Sequence, residues 1–163
     1  MEKRKQFRAP WDFLLIIVTT LIVGLLLGLN YLYSSHSVIP TIITWGIILS
    51  CAAFGVFGYS IQNGKLRILC LGWSKDIPLS EITSVEFKPN AGMGSIRIAG
   101  IGGLFGYIGY FKNRILGHYR AYATHRRKTV VILTNKNEQI VITPDDPDLF
   151  VQVLREEAKL LKC

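Results

Sequence analysis

The sequence predicts a membrane α-hairpin of two transmembrane helices, followed by a mainly-β barrel or sandwich that a C-terminal α-helix closes. Three observations carry that expectation. Two long runs near the N-terminus contain no charged residue, the middle of the chain breaks into short alternating segments, and the end is amphipathic with a helical period. Three units result: a basic N-terminus over 1–10, the hairpin over 11–59 and a β domain over 60–163.

The first element is the uncharged run Phe13–Tyr33, "FLLIIVTTLIVGLLLGLNYLY", and the second is Val38–Tyr59, "VIPTIITWGIILSCAAFGVFGY". As helices, each spans roughly 30 Å, the thickness of a bilayer core. Neither run has the polar stripe of a helix packed on a soluble core. Aromatic anchors stand where headgroups would lie: Trp11 before the first run, Tyr31 and Tyr33 at its end, Trp45 in the second and Tyr59 closing it. The first run is too long for a signal-peptide core and no small-x-small cleavage site follows it, so it reads as an uncleaved anchor.

Orientation comes from loop charge. Lys3, Arg4, Lys5 and Arg8 precede the first run, the connector "SSHS" has neither Lys nor Arg, and Lys65 and Arg67 follow the second run. Positive charge stays on the cytoplasmic side, which predicts a multi-pass membrane protein with both termini cytoplasmic. The cysteines agree: Cys51 falls within a run, Cys70 and Cys163 in a reducing compartment, and no pair has metal or redox spacing. Gly24 and Gly28 form a G-x-x-x-G, and Gly46 and Ser50 a small-x-x-x-small step. Small residues let helices approach closely in lipid, either within the hairpin or between two copies of the chain.

From Ser60 the period becomes that of strands. "YSIQ" and "KLRILCLGW" flank Asn63-Gly64, a pair suited to the left-handed dihedrals of a two-residue hairpin turn. "ITSVEFK" alternates, with Thr83, Val85 and Phe87 on one face and Ser84, Glu86 and Lys88 on the other. "HYRAYAT", "KTVVILT" and "EQIVITP" are further strands, giving six or seven short antiparallel strands in all. The last element, "PDDPDLFVQVLREEAKLL", puts Leu149, Phe150, Val153, Leu154 and Leu161 on one helical face, with Asp145 and Asp146 placed to cap its start. About 100 residues can bury a single core without disulfides.

Taken together, "DIPLSEITSVEF", "GGLFGYIGYF", "LGHYRAYATHRRKTVVILT" and "ITPDDPDLF" resemble the bacterial pleckstrin-homology-like (PH-like) domains of small membrane proteins. The resemblance covers roughly residues 60–161, and two preceding spans are typical of that group. It implies two near-orthogonal sheets with a C-terminal helix closing one end. Lys65-Leu66-Arg67 echoes the basic pattern of phosphoinositide-binding PH domains, but the loop has shrunk to Asn63-Gly64. Phosphoinositide specificity does not carry over.

Between Glu86 and Glu138 there is no carboxylate, while Lys112, Arg114, Arg120, Arg126, Arg127 and Lys128 fall in that interval. With almost no linker after the second run, much of the domain's near face should lie within a Debye length, ~8–10 Å, of an anionic inner leaflet. Each basic residue there contributes roughly 1 kcal/mol. Lipid contact and mere retention by the positive-inside effect both account for these charges. Two readings also apply to "GGLFGYIGYF": either its aromatics fill the barrel core, or Leu104, Phe105, Ile108 and Phe111 dip into the membrane interface. Nucleic acid is a poor partner for a domain held against lipid. No phosphate loop, metal-ligand spacing or nucleophile-base pair is present, so neither enzyme activity nor a cofactor is expected. Two function classes remain: a membrane-anchored binding module for lipid headgroups or a peptide, and an assembly or regulatory subunit that self-associates or docks on a larger membrane complex.

Overall fold

The computed structural model describes residues 5–33 and 38–160. The connector 34–37, with His36, lies outside the described residues, as do Lys3, Arg4, Leu161 and Cys163. One sheet has four antiparallel strands in chain order: β1 (Lys5–Arg8), β2 (Val56–Gln62), β3 (Lys65–Cys70) and β4 (Ser74–Pro78). The second has six: β5 (Ile82–Phe87), β6 (Ile96–Gly102), β7 (Tyr107–Asn113), β8 (Gly117–Ala123), β9 (Val130–Thr134) and β10 (Gln139–Ile142), in the order β5-β9-β10-β8-β7-β6. Two helices, α1 (Phe13–Tyr33) and α2 (Ile39–Ala53), separate β1 from β2, and α3 (Pro147–Leu160) ends the described chain.

The second apolar run is not one helix. It is helical only to Ala53, and Val56–Tyr59 opens β2. Tyr59 is therefore no interface anchor: it is fully buried, and its hydroxyl donates to the Tyr122 carbonyl at 2.7 Å and accepts from the Thr143 N–H at 3.1 Å. A strand buried on both faces is as free of charge as a membrane helix, and hydropathy does not separate the two. Among the described residues only α1, at 21 residues, is long and apolar enough to cross a bilayer by length and composition; α2 has 15 residues, about 22 Å. Part of the segment before α1 is a strand, because Lys5–Arg8 pairs antiparallel with β2 in the register Lys5↔Ile61 to Arg8↔Gly58. A Cβ on Gly58 would lie 2.9 Å from the Phe7 carbonyl, so the glycine is what admits β1 at that spacing.

The Asn63-Gly64 turn forms as expected, with φ of 52° and 66°. So do the other expected strands, but the described residues hold ten strands, and β10 pairs with β8 in parallel. In β5 a register shift between Ile82 and Ser84 turns Ile82 into the core and Thr83 out to solvent, breaking the alternation anticipated there. The Cβ positions of Gly24, Gly28 and Gly46 meet nothing within 4 Å and Ser50 is exposed, so these small residues do not form the seam between α1 and α2. Instead Asn30 Nδ2 donates to Thr41 Oγ1 at 3.1 Å across it.

The main core lies between the sheets and under α3. Phe150 and Leu154 are fully buried there, and the Phe150 ring sits edge-on to Phe7 at 4.9 Å. Asp146 caps α3 by accepting the Leu149 N–H at 3.1 Å. The buried face is rotated from the anticipated one: Val151 is inside and Leu149 is 49% exposed. A second, smaller cluster, including Phe111, Tyr119 and Val141, lies on the opposite face of the six-stranded sheet. The segment 88–95 crosses that face from the end of β5 to the start of β6, pinned where Asn113 Nδ2 donates to the Ala91 carbonyl and Tyr119 donates to Ser95 Oγ.

In the edge hairpin, Gly100 and Gly109 face each other at φ of 114° and 131°. A Cβ on Gly109 would lie 2.2 Å from the Ala99 carbonyl. Gly109→Ala is therefore expected to destabilise the domain by about 1–3 kcal/mol from backbone strain alone. Thermal melts of the purified chain check this, and amide exchange should localise the opening to β6 and β7.

Candidate functional site

The strand directions place the roots of both helices at one end of the domain. β1 ends and β2 begins there, and the Ala9 N–H donates to the Phe57 carbonyl at 3.1 Å. The chain crosses from β1 to α1 over the end of β8: Thr124 Oγ1 donates to the Pro10 carbonyl at 2.8 Å, and the Asp12 N–H donates to the Thr124 carbonyl at 3.0 Å. At the other root, the Gly72 N–H in the β3–β4 turn donates to the Ala53 carbonyl at the end of α2, at 2.8 Å.

The first two turns of α1 rest on the β6–β7 turn. Leu15 is fully buried, and the buried Thr19 hydroxyl serves the turn's backbone, donating to the Gly103 carbonyl at 3.5 Å and accepting from the Phe105 N–H at 3.3 Å. That contact explains a hydroxyl within an apolar run, and it holds Phe105 at φ 59°, a conformation side chains rarely adopt. The Trp11 and Phe105 rings meet edge-on at 6.1 Å. Around the helix roots Phe54, Phe57 and Leu71 are exposed, Leu71 at 70%.

The four residues named for interfacial insertion separate. Leu104 and Phe105 are half-buried on the turn beside α1. Ile108 and Phe111 are buried, in the main core and in the smaller cluster respectively, which corrects the expectation that they enter an interface. Alternation along β7 sends them to opposite faces of the sheet, and each face is covered there.

The six basic residues also separate. Arg126, Arg127 and Lys128 are exposed on the loop after β8, at the helix-bearing end. Arg126 lies over the Tyr107 ring at 4.9 Å and donates to its hydroxyl at 3.0 Å, while Lys128 Nζ donates to the Asp145 carbonyl at 3.0 Å. Lys112 and Arg114 stand at the opposite end, around the turn from β7 to β8. Arg120 is half-buried midway, its guanidinium over Tyr110 at 5.2 Å and Tyr122 at 5.4 Å. The echo of a phosphoinositide motif is likewise at the far end, and Arg67 is engaged by Asp76 through two hydrogen bonds of 2.7 and 2.8 Å. That pairing holds the Asp76 carboxyl below its ordinary range.

Sequence reasoning did not single out the cavity of about 470 Å³ between the crossing segment 88–95 and the six-stranded sheet. Its lining includes Arg97 on β6, Tyr107 and Phe111 on β7, Ala121 and Ala123 on β8, and the loop residues His125 and Arg126. The signal was present in "YRAYA": one face of β8 carries Tyr122 into the main core, and on the other Tyr119 is followed by the small side chains of Ala121 and Ala123. His125 accepts the Arg127 N–H at Nδ1, at 3.1 Å, so its Nε2 carries the proton of the neutral ring. Burial holds this histidine below its ordinary value; Asp12 opposes that shift, and Lys128 and Arg127 add to it. Among the described residues no cluster of His, Cys, Asp or Glu is placed to hold a metal ion.

Comparison with curated proteins and with solved structures finds no match. The family model described as "Bacterial PH domain" matches residues 57–158. That match begins inside β2 and runs almost to the end of α3, taking in more than half of the chain and most of both sheets. The chain belongs to the bacterial PH domain family.

Proposed function

We propose that this protein is a non-catalytic binding module anchored in the bacterial inner membrane, with both termini cytoplasmic, whose helix-bearing end contacts anionic lipid headgroups. The observation that carries the reading is a coincidence of place. The roots of both apolar helices, the exposed Phe54, Phe57 and Leu71, the turn with Leu104 and Phe105, and the basic loop 126–128 all occupy one end of the domain. Because β1 and β2 pair across the helical insertion, the hairpin leaves and returns on one side, as a re-crossing of the membrane requires.

Lengths support a sunken rather than a standing domain. Residues 20–33, the part of α1 beyond its contact with the β6–β7 turn, span about 21 Å, and α2 about 22 Å. A bilayer core is roughly 30 Å thick. Seating the whole of α1 in it draws the turn about 9 Å inward, and Leu104 and Phe105 with it.

Native mass spectrometry of the full chain, released from nanodiscs of equal phosphatidylglycerol and phosphatidylcholine, tests the reading. Retained lipid should be enriched in phosphatidylglycerol. Changing Arg126, Arg127 and Lys128 to glutamine should remove roughly 3 kcal/mol of that preference. Changing Lys112 and Arg114, at the far end, should leave it intact. Equal retention by both variants would sink the proposal.

One observation favours the alternative of an assembly subunit. β6 is an exposed edge strand carrying Ile96 at 74% and Ile98 at 55% exposure, and edge strands accept an added strand from a partner. The outward small residues of α1 and α2 suit the same reading.

A further inference from the structure

We infer that the cavity beneath the crossing segment 88–95 is a binding site for a single anionic amphiphile, its phosphate or carboxylate held by Arg97, His125 and Arg126 and its apolar portion lying along Ala121, Ala123 and Phe111. This deepens the lipid-binding reading and rests on it only in sharing Arg126 with the lipid-facing loop. At about 470 Å³ the space falls within the usual range of small-molecule sites.

Its walls carry one sign of charge. The lining has two guanidiniums and an imidazole and no carboxylate. Among the described residues Arg97 has no ion-pair partner, and Arg126 is oriented by the Tyr107 ring and hydroxyl without being neutralised. The Arg97 stem lies along β6, where a Cβ on Gly102 would come within 3.3 Å of its Cδ. His125 presents an N–H from Nε2, since Nδ1 already accepts from the Arg127 amide. A cationic rim beside a floor formed by the apolar side chains of Ala121, Ala123 and Phe111 recognises an anion attached to an apolar body better than it recognises a bare anion.

The floor exists because of residue size. Larger side chains at Ala121 or Ala123 would fill the space, as Phe111 and Tyr119 fill the neighbouring part of the same face. The hydroxyls of Ser95 and Tyr119 close one side and are already committed to each other at 2.6 Å, so they hold the crossing segment in place.

The full chain in phosphatidylcholine-only nanodiscs, titrated with water-soluble dihexanoyl phosphatidic acid and separately with inorganic phosphate, provides the test. Binding of the amphiphile should saturate at one per chain and be at least tenfold tighter than that of phosphate. Ala123→Leu, which fills the floor, should weaken it at least tenfold while leaving the phosphatidylglycerol enrichment of the lipid-facing loop unchanged. That separates failure of this site from failure of the broader reading. Arg97→Gln lies on an exposed edge strand and should weaken binding similarly, keeping the test decisive where Ala123→Leu does not fold. Competition by long-chain phosphatidic acid built into the disc identifies the bilayer as the source of the ligand, and lack of competition identifies a soluble amphiphile. Parental affinity in the folded variants, or phosphate binding as tight as the amphiphile, overturns the proposal.

Discussion

A fragment beginning at Ser60 is expected not to fold, whereas a chain in which residues 12–54 are replaced by a short Gly-Ser linker is expected to fold as a soluble domain. The fragment lacks β1 and the first half of β2, and with them the buried side chains of Phe7, Val56 and Tyr59. Burying each of these contributes roughly 1.5–3 kcal/mol, and a domain's entire stability is only about 5–15 kcal/mol. The fragment also orphans the buried Thr143 N–H, whose acceptor is the Tyr59 hydroxyl. The linker chain keeps all of these groups. Its ends are already adjacent, because Ala9 and Phe57 are hydrogen-bonded, so closing a short loop between them costs little. It does lose Leu15 from beneath the β6–β7 turn. Circular dichroism and gel filtration of the two proteins decide the matter; a cooperatively melting fragment 60–163 would show that β1 is dispensable.

Leu154→Ala is expected to cost about 2–5 kcal/mol, the range for truncating a fully buried leucine, and Glu156→Ala close to nothing. Leu154 has no exposed surface, and α3 is held over β5 by Arg155, whose guanidinium donates to the Val85 carbonyl at 2.6 and 3.1 Å. Denaturant unfolding of the linker chain measures both changes without the complication of lipid. Similar midpoints for the two variants would mean that α3 does not plug the core.

How legible each element was depended on whether its cause is local. The Asn63-Gly64 hairpin could be read because the two residues themselves favour the left-handed dihedrals observed, and α3 because its period and its Asp146 cap lie within one short segment. The end of the second apolar run could not, since Val56 and Tyr59 are apolar for burial in a sheet rather than in lipid. Nor could β1: four residues reading "KQFR" have no strand signature, and they become a strand only because β2 offers an unpaired edge beside them. The candidate site divides in the same way. Arg126, Arg127 and Lys128 stood out as a run, while Arg97 and His125 were unremarkable until β6 and the loop after β8 brought them to one cavity.

By itself the sequence determined the apolar N-terminal region, the strand-rich character of the rest of the chain, the closing helix, the family resemblance and the long interval without acids. Each is a property of composition or period, carried by neighbouring residues. Only the tertiary structure decided that the helices are an insertion within a β-hairpin, that Ile108 and Phe111 are buried on opposite faces, and that the basic residues divide between two ends of the domain. Those outcomes depend on which strand pairs with which. Pairing is settled by burial and hydrogen bonding between segments as far apart as Lys5 and Ile61, a separation over which local periodicity carries no information.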